Sequence, residues 1–511
     1  MQTSLHQTPP NLSEIAIPTT KMSKAVRRHS SRGGRGLFTT TAIPAGTQIL
    51  SIPKPLVTVP SDAHLQSTCS NCLHHAPDTP SILTTYNPPR KLFACLGCKV
   101  VRYCGKECQT EDWKRVHKHE CKTFAELPRA LPGSVRVTTR VLMQNAEEEV
   151  LAQCEDHVER FRTEAGGKRW EVVFVMGKGA HGYSGTRKGE EEVRRLICAV
   201  LVNSMTLVTE TFDPIGIAFD PLAASINHDC TPNSVILFDG RVLQVRALED
   251  IPANAEILIS YIDNTAPRER RQLELSEKYF FTCACSRCTS PAGPTDGFLC
   301  TCGGIGLPSH EAVLCGKCTR ALPVTVDVEV LEQIAWSALD SDKSDEMISS
   351  LKHLHKSPVW PLPRQPLAAL HLALVQSEYI PSGNWERALL HYLLAYLRLD
   401  PVFYPQRFHP VRVVHGFMLA NLFLQVPGVD CGKVVWGLLC ECAAQVGRSH
   451  GDGGGFAGVI ARKKEEVRGD LEKEEQTRGW VRLRLEDIGL EAEMGKVVGM
   501  VEGLVKELKM R

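Results

Sequence analysis

The sequence has no excess of charge of either sign and no long hydrophobic run. Its 59 basic and 58 acidic residues leave a formal net charge of +1, so no global field draws the chain to DNA or to a membrane surface. No apolar run reaches the roughly 18 residues needed to cross a bilayer, and the N-terminus lacks the apolar segment of a signal peptide. We therefore expect an intracellular protein of the nucleus or cytoplasm that does not bind membranes.

Cysteine, in contrast, is abundant, with 20 residues in a chain of 511. The length of the chain also predicts several domains, because a single hydrophobic core rarely grows beyond about 250 to 300 residues. A reducing compartment argues against disulfides, and 15 of the cysteines fall in clustered spacings between residues 69 and 318, which indicates zinc. The other five fit buried small hydrophobic residues: Cys154, Cys198, Cys431, Cys440 and Cys442.

The first cluster, in residues 67–122, contains seven cysteines and one histidine at paired spacings. Zinc takes four sulfur or nitrogen ligands in structural sites, so eight ligands predict two closed sites. The loops between them are too short to bury a core, and metal binding should supply most of the folding energy of this segment. The eight residues are Cys69, Cys72, Cys95, Cys98, Cys104, Cys108, His117 and Cys121.

A second set of motifs surrounds Asn227-His228. Cys230 follows two residues later, an alternating apolar run extends from Val235 to Val245, and a lone tyrosine, Tyr261, ends a strand-like stretch. Individually, the asparagine could cap a turn and the histidine could lie in a core. Three further features accompany them, a Tyr103-Cys104 pair, a glycine-rich segment at 33–36 and Cys283-x-Cys285-x2-Cys288.

Together these motifs resemble those of the SET and MYND family of protein-lysine methyltransferases. The resemblance implies a multidomain α+β protein in which a β-rich SET fold is split by an inserted MYND zinc finger. A post-SET zinc site and an α-helical C-terminal domain of tetratricopeptide-like type would follow. The implied segments are a disordered N-terminus (1–22), the two SET parts (23–66 and 196–265), the MYND finger (67–122), a helical insert (123–195), the post-SET segment (266–290), a zinc knuckle (297–320) and the helical domain (321–511).

The resemblance also implies how the ligands pair. In the finger they interleave, so one zinc takes Cys69, Cys72, Cys104 and Cys108, and the other takes Cys95, Cys98, His117 and Cys121. Cys283, Cys285 and Cys288 leave a tetrahedral zinc one ligand short, and in the family the cysteine after the Asn-His pair, here Cys230, completes the site. A further set, Cys300, Cys302, Cys315 and Cys318, predicts a fourth zinc, with reduced surface cysteines as the alternative.

By the same resemblance the cofactor is S-adenosylmethionine and the substrate is a protein or peptide lysine. Tyr261 would be the catalytic residue, orienting the amine and the sulfonium, and Met205 and Tyr279 would line the lysine channel. A capping role is the alternative for Asn203. The implied cofactor-binding residues are Gly34, Arg35, Gly36, Asn203, Asn227, His228, Tyr261 and Phe281.

The chain departs from the family pattern at three positions. Asp229 replaces the usual serine after the Asn-His pair, Ala224 replaces a frequent serine, and Met205 stands where many relatives have an aromatic residue. These changes leave the number of methyl groups transferred open.

Apolar periodicity predicts mostly helices between residues 124 and 200, interrupted by a polar loop from 166 to 189 around a short strand at 171–176. Residues 193–208 are predicted as a helix-like run. Beyond residue 324 the pattern is helical, and a tetratricopeptide-like array and a plain helical bundle both fit it. The predicted helices there include 365–379, 385–399, 411–424, 433–446 and 490–509.

Two other functions fit parts of the sequence. The finger and the helical domain could bind peptides in a non-catalytic adaptor, although the presence of Asn227, His228 and Tyr261 favours the enzyme. A DNA-binding zinc protein is disfavoured by the neutral charge, and we do not expect direct nucleic-acid binding.

MYND fingers of relatives dock proline-rich peptides, so the resemblance predicts a proline-rich peptide as a partner of this finger. The basic run from residue 21 to 35 fits a solvated flank or a nuclear localisation signal.

Overall fold

The structure, a computed structural model, describes residues 24–76, 91–127, 130–290, 293–307, 313–324, 326–426, 432–478 and 490–510. The predicted disorder of residues 1–22 and the prediction for Cys431 lie outside these ranges. Within them, no helix is both long enough and apolar enough to cross a membrane.

The strands fall in the N-terminal part of the chain and in a short segment before the last group of helices. They are β1 (Ala25–His29), β2 (Arg35–Thr39), β3 (Gln48–Ile52), β4 (Val57–Pro60), β5 (Phe93–Ala94), β6 (Arg102–Tyr103), β7 (Met205–Val208), β8 (Pro214–Phe219), β9 (Asn227–His228), β10 (Ser234–Asp239), β11 (Val242–Ala247), β12 (Glu256–Ile259), β13 (Phe298–Leu299), β14 (Ile305–Leu307) and β15 (Leu314–Cys315).

Three small sheets form the β-rich half. Their strand orders are β1-β2-β12-β9, β10-β11-β3 and β4-β8-β7, with only the β12–β9 pair parallel among them. The alternating run around residue 240 forms a hairpin in which Asp239 pairs with Val242. Its two-residue turn needs a positive φ, which Gly240 supplies at +54°. The inward faces bury one apolar core that includes Leu37, Val245 and Ile257.

The helices occupy the cysteine-rich finger (residues 65–127), the following insert and the C-terminal half. They are α1 (Lys106–Asp112), α2 (Lys118–Glu126), α3 (Gly133–Met143), α4 (Glu147–Gln153), α5 (Val158–Thr163), α6 (Lys168–Ser184), α7 (Glu190–Asn203), α8 (Arg268–Tyr279), α9 (Ser286–Thr289), α10 (Val326–Ser341), α11 (Ser344–Lys356), α12 (Leu367–Leu374), α13 (Trp385–Leu394), α14 (Asp400–Phe403), α15 (Pro410–Phe423), α16 (Gly432–Ser449), α17 (Gly455–Arg478) and α18 (Leu490–Met510). Five-residue π segments continue α1, α12 and α13, at Trp113–His117, Val375–Tyr379 and Ala395–Leu399.

The predicted helices given above are confirmed as α12, α13, α15, α16 and α18, and the C-terminal half also contains α10, α11, α14 and α17. Their apolar faces form one cluster that runs from Ala335 in α10 to Leu508 in α18. The fold is a multidomain α/β arrangement with a helical C-terminal half. The tetratricopeptide-like arrangement of these helices stays a prediction.

Two secondary-structure predictions are wrong. The polar loop predicted at 166–189, with its short strand at 171–176, is largely the helix α6, in which Val173 and Ala180 are buried against neighbouring helices. Tertiary packing therefore overrides the β propensity of the Val-Val-Phe-Val run. The helix-like run at 193–208 ends at Asn203, and Met205–Val208 continues as the strand β7.

The finger packs on the hairpin of the β-rich half. Arg241 donates to Asn71 at 2.9 Å and to the carboxylate of Glu111 at 3.0 Å, and Lys54 contacts the same carboxylate at 2.5 Å. A Cβ added at Gly240 would lie 2.7 Å from the carbonyl oxygen of Cys72, so glycine permits this close approach.

Candidate active site and metal clusters

Strand β12 joins the two predicted halves of the cofactor site. It lies between β2 and β9, pairing Ile257 with Leu37 on one side and Leu258 with Asn227 on the other. The amide of Asn227 donates to the carbonyl oxygen of Arg35 at 3.2 Å, although the two residues are 192 positions apart. The glycine-rich segment and the Asn-His strand are therefore neighbours in one sheet.

The glycine-rich segment is a tight turn that only small residues permit. Gly33 and Gly34 have φ values of +113° and +61°, and the amide of Ser30 donates to the carbonyl of Gly34 at 3.1 Å. A Cβ at Gly36 would lie 3.1 Å from the amide nitrogen of Asn227 and would overlap the Glu256 carboxylate. Glycine at position 36 therefore makes room for the side chains of Glu256 and Asn227.

The two nitrogens of His228 have different partners. Its Nδ1 accepts a hydrogen bond from the backbone amide of Tyr261 at 3.1 Å, so the proton of a neutral ring lies on Nε2. Nε2 is 3.3 Å from the Sγ of Cys230. His228 thus connects the segment that carries Tyr261 to a cysteine of a metal cluster.

Two tyrosines and a phenylalanine form the aromatic part of the site. The hydroxyl of Tyr261 donates to the carbonyl of Ile226 at 2.7 Å, and the hydroxyl of Tyr279 donates to the carbonyl of Tyr261 at 3.1 Å. The two tyrosine rings are 4.9 Å apart, and Phe281 is 6.0 Å from the His228 ring. Burial raises the pKa of Tyr261 well above its usual range and that of Tyr279 to about 12, so both hydroxyls keep their protons.

The remaining predicted site residues lie at the end of α7 and the start of β7. The amide of Asn203 donates to the carbonyls of Glu155 at 2.7 Å and Ala199 at 2.8 Å. The hydrogen bond to Ala199 lies within the last turn of α7, as the capping alternative expects. The hydrogen bond to Glu155 joins the end of α7 to the segment between α4 and α5. Met205 is half-buried and packs against the core of the β-rich half.

In the finger, the eight predicted ligands form two groups, each with its ligand atoms within 4.8 Å of one another. In the first, the Sγ of Cys104 is 3.6 Å from that of Cys72 and 3.4 Å from that of Cys108. Zn–S bonds of about 2.3 Å in a tetrahedron place sulfurs about 3.8 Å apart, so the donor set fits zinc. The neighbouring thiol of Cys72 lowers the pKa of Cys69 to about 5, which favours the thiolate form that zinc binds.

The second finger group is supported by a buried ion-pair network. The Nε2 of His117 faces Cys95 at 3.3 Å and Cys98 at 3.7 Å, and its Nδ1 is 3.1 Å from the carboxylate of Glu120. Glu120 in turn pairs with Arg140 of α3 at 2.5 Å. A carboxylate on the far nitrogen fixes the ring orientation of a histidine ligand, and here it also joins the finger to the insert.

The third group combines Cys230 with the three later cysteines, all of them buried: Cys230, Cys283, Cys285 and Cys288. The Sγ of Cys230 is 3.5 Å from that of Cys288 and 4.0 Å from that of Cys283. The neighbouring thiol of Cys230 lowers the pKa of Cys283 to about 3. This group lies directly behind the aromatic part of the site, because Tyr261, Tyr279 and Phe281 pack against it.

The fourth group contains Cys300, Cys302, Cys315 and Cys318, whose sulfurs also lie within 4.8 Å of one another. It occupies a three-stranded antiparallel sheet, β13-β14-β15. We call residues 293–324 the ribbon. Unlike the third group it is partly open to solvent, because Cys318 is exposed.

Sequence reasoning missed three charged residues around the site, Arg32, Glu256 and Glu155. Asp229 pairs with Arg32 at 2.8 Å, and Arg32 is 3.6 Å from the carboxylate of Glu256. Glu155 lies 3.4 Å from the Cβ that a residue at position 34 would carry. The charge of Asp229 in place of the expected serine was a signal for a cationic partner, whereas Glu155 stands in no recognisable motif.

A model of the SET domain matches residues 34–262. The "SET domain and MYND-type zinc finger protein 6" of Schizosaccharomyces pombe is 33% identical over 258 residues, which are 50% of this chain and 50% of that protein. "Histone-lysine N-methyltransferase ASHR1" of Arabidopsis thaliana is 26% identical over 493 residues, 86% of this chain and 94% of that protein.

"N-lysine methyltransferase SMYD2" of Bos taurus is 32% identical over 212 residues, 39% of this chain and 48% of that protein. The chain thus spans about half the length of the yeast and bovine relatives and nearly all of the plant relative.

Proposed function

Because this chain is a SET-domain protein of the SET and MYND family, we propose that it is an S-adenosylmethionine-dependent protein-lysine N-methyltransferase. The observation that carries the proposal is the sheet in which β12 brings the glycine-rich turn beside Asn227 and His228, with Tyr261 at its end. The substrate is a lysine of a histone or of another protein.

The residues around this sheet fit the cofactor. The glycine-rich turn lies beside Asn227, whose side-chain amide donates to the carbonyl oxygen of Arg35, and His228 directly follows Asn227 in β9. Bound S-adenosylmethionine supplies an electrophilic methyl group on a sulfonium. The residues that would hold it are Gly34, Arg35, Gly36, Asn203, Asn227, His228, Tyr261 and Phe281.

The chain's own groups would prepare the lysine. An unperturbed lysine has a pKa near 10.4, so only about one amine in a thousand is neutral and nucleophilic near pH 7. A channel walled by Tyr261, Tyr279 and Met205 removes water from the ammonium and favours loss of its proton. Because the proton of the Tyr261 hydroxyl is donated to Ile226, its oxygen lone pairs are left to accept from the amine and from the C–H bonds of the methyl group.

Zinc in the first three groups would have a structural role. The two finger sites use all four ligands, and closed sites of this kind stabilise a fold and leave no position for substrate. The group around Cys230 would hold the aromatic wall against the Asn-His strand. In the finger, which we propose is a MYND finger, a proline-rich peptide is the proposed partner, and the protein acts in the nucleus or cytoplasm.

The test combines binding with transfer. We expect calorimetric titration to give S-adenosylmethionine binding with a dissociation constant well below 1 mM, and labelled methyl transfer to lysines on a peptide array. Asn227→Ala should weaken cofactor binding, whereas Asn421→Ala, in the buried C-terminal core, serves as a matched control. Finger-dependent peptide capture without cofactor binding at millimolar concentration would replace the enzyme with the adaptor.

A further inference from the structure

We infer that the ribbon holds a fourth structural zinc and that this ion fastens the C-terminal helices to the post-SET wall of the active site. The inference rests on the ribbon's own geometry and contacts and is independent of the proposed methyl transfer. The ligands would be Cys300, Cys302, Cys315 and Cys318.

The donor set matches tetrahedral zinc. The Sγ atoms of Cys300 and Cys318 are 3.7 Å apart and those of Cys302 and Cys315 are 3.5 Å apart, close to the roughly 3.8 Å edge expected for Zn–S bonds near 2.3 Å. A disulfide would need about 2.05 Å, so these are paired thiols around a centre. The four cysteines would fill all four positions of a tetrahedral zinc, as in a closed structural site.

The surrounding backbone is shaped for the same centre. The amide of Lys317 donates to the Sγ of Cys315 at 3.4 Å, a contact that stabilises a thiolate. A Cβ at Gly304 would lie 2.6 Å from the Cys315 sulfur and 3.3 Å from the Cys302 sulfur, so this position must be glycine for the turn to wrap the cluster.

The ribbon has too small a core to fold by apolar burial. Its three strands contain two or three residues each, and among the described residues of the ribbon (293–307 and 313–324) the buried apolar side chains other than cysteine are Phe298 and Leu322. Domains of this size generally need a metal or disulfides, and zinc binding to four thiolates supplies folding free energy. The metal would therefore decide whether the ribbon is ordered.

One end of the ribbon is fixed to the post-SET cluster. Asp296 pairs with Arg271 of α8 at 2.7 Å and with Arg287 at 3.2 Å, and Arg271 is fully buried. The same Arg271 side chain reaches the Sγ of Cys288 at 3.8 Å. The ribbon and the aromatic wall of the site are therefore joined through one buried arginine.

The other end is fixed to the helices. The amide of Leu299 donates to the carbonyl of Val359 at 2.7 Å, the Phe298 ring contacts Trp360 at 5.6 Å, and the guanidinium of Arg364 lies 4.4 Å above Phe298. Cys300 and Cys315 belong to the same buried cluster as the C-terminal helices. An ordered ribbon thus presents Phe298 and Leu299 to the segment between α11 and α12.

Other contacts between the halves do not use the ribbon. Arg246 donates to the carbonyl of Gly447 at 2.7 Å, and Gly455 contacts Asp239 at 3.4 Å, both at α16 and α17. Loss of the fourth zinc should therefore loosen the segment around residues 357–366 while the contacts at α16 and α17 persist.

The experiment replaces the two more accessible ligands, as Cys302→Ser and Cys318→Ser, in the full chain. Cys440→Ser is the matched control, because Cys440 is half-buried in the same domain and belongs to none of the four groups. We expect each ligand variant to contain one zinc fewer than wild type by mass spectrometry. Hydrogen exchange at residues 298–300 and 357–366 should accelerate at least tenfold, with little change at 446–456.

Cys302→His keeps a four-ligand set that zinc accepts, and it should retain both the fourth zinc and the protection. An unchanged zinc count in both serine variants would overturn the metal assignment. A lost zinc with unchanged exchange at 357–366 would overturn the fastening role. Cofactor titration of the same wild-type sample reports on the proposed function separately, since a wild type that binds no S-adenosylmethionine leaves the zinc result intact.

Discussion

The third and fourth cysteine groups have the same donor chemistry but join different parts of the chain. The third takes Cys230 from 53 residues before Cys283, and all of its ligands are buried. The fourth takes its ligands from residues 300 to 318, and Cys318 is exposed. The proposed roles of the two groups, support of the active site for the third and a contact between domains for the fourth, therefore differ because the groups join different segments, and their ligands are the same.

The largest expected difference between the two groups is their effect on the active site. Cys230→Ser should remove one zinc, abolish detectable methyl transfer and weaken cofactor binding at least tenfold, because His228 and the tyrosine wall lose their support. Calorimetry and zinc analysis measure this, with Cys198→Ala, a buried cysteine outside the four groups, as the control. If Cys230→Ser loses this zinc but binds the cofactor as wild type does, the third group does not support the active site and the proposed difference between the two groups is wrong.

The buried ion pair between the two groups should be the next largest effect. Arg271→Met leaves Asp296 with only Arg287, and breaking a buried pair costs roughly 3–5 kcal/mol. We expect a loss near the lower end of that range in urea denaturation, because Arg287 remains. Adding Asp296→Leu should recover part of it, whereas an additive further loss would show that the pair does not link the groups.

A chelator should remove zinc from the fourth group faster than from the third group. The exposed sulfur of Cys318 gives a chelator access that the fully buried third group denies. With excess chelator and a colorimetric zinc indicator, we expect the first zinc released to come from the ribbon. That first phase should be missing in Cys302→Ser and present in Cys440→Ser. A first phase of full amplitude in both variants would reverse the predicted order.

The smallest expected effect concerns the helices that the ribbon contacts. Burial lowers the pKa of His371 well below 6.5 and that of His391 to about 3, and the two rings are linked by Nδ1 atoms 3.0 Å apart. Because these histidines bind protons less readily in the folded state than in the unfolded state, stability is full above pH 6.5 and is lost as the pH falls towards 3. Urea denaturation at pH 7 and pH 5 should show this loss.

His391→Gln should reduce that pH dependence, and His353→Gln, which changes an exposed histidine, should leave it as in wild type. If the free energy of unfolding falls equally steeply with decreasing pH in wild type and in His391→Gln, His391 does not cause the pH dependence.

Local spacing explains what could be predicted from the sequence. Zinc ligands come in short pairs, so the cysteine-rich segments were readable from spacing, and helical periodicity located the C-terminal helices. The interleaving of ligands in the finger and the addition of Cys230 to the third group came from the family resemblance. Interactions over long distances were not readable. Neither Arg271 and Asp296 nor Glu120 and Arg140 carry a local pattern, and each pair meets only after folding. The α6 segment was misread because its β-branched run suits a strand, and only packing against other helices makes it helical.

The central claim is that the two distant segments joined by β12 form a methyl-transfer site at Tyr261. Single-turnover transfer by Tyr261→Phe measures it most directly, because the variant keeps the ring and removes only the hydroxyl that donates to Ile226. We predict a rate at least roughly 10²-fold lower, with the dissociation constant for S-adenosylmethionine changed by less than about threefold. An unchanged rate at equal cofactor binding would contradict it.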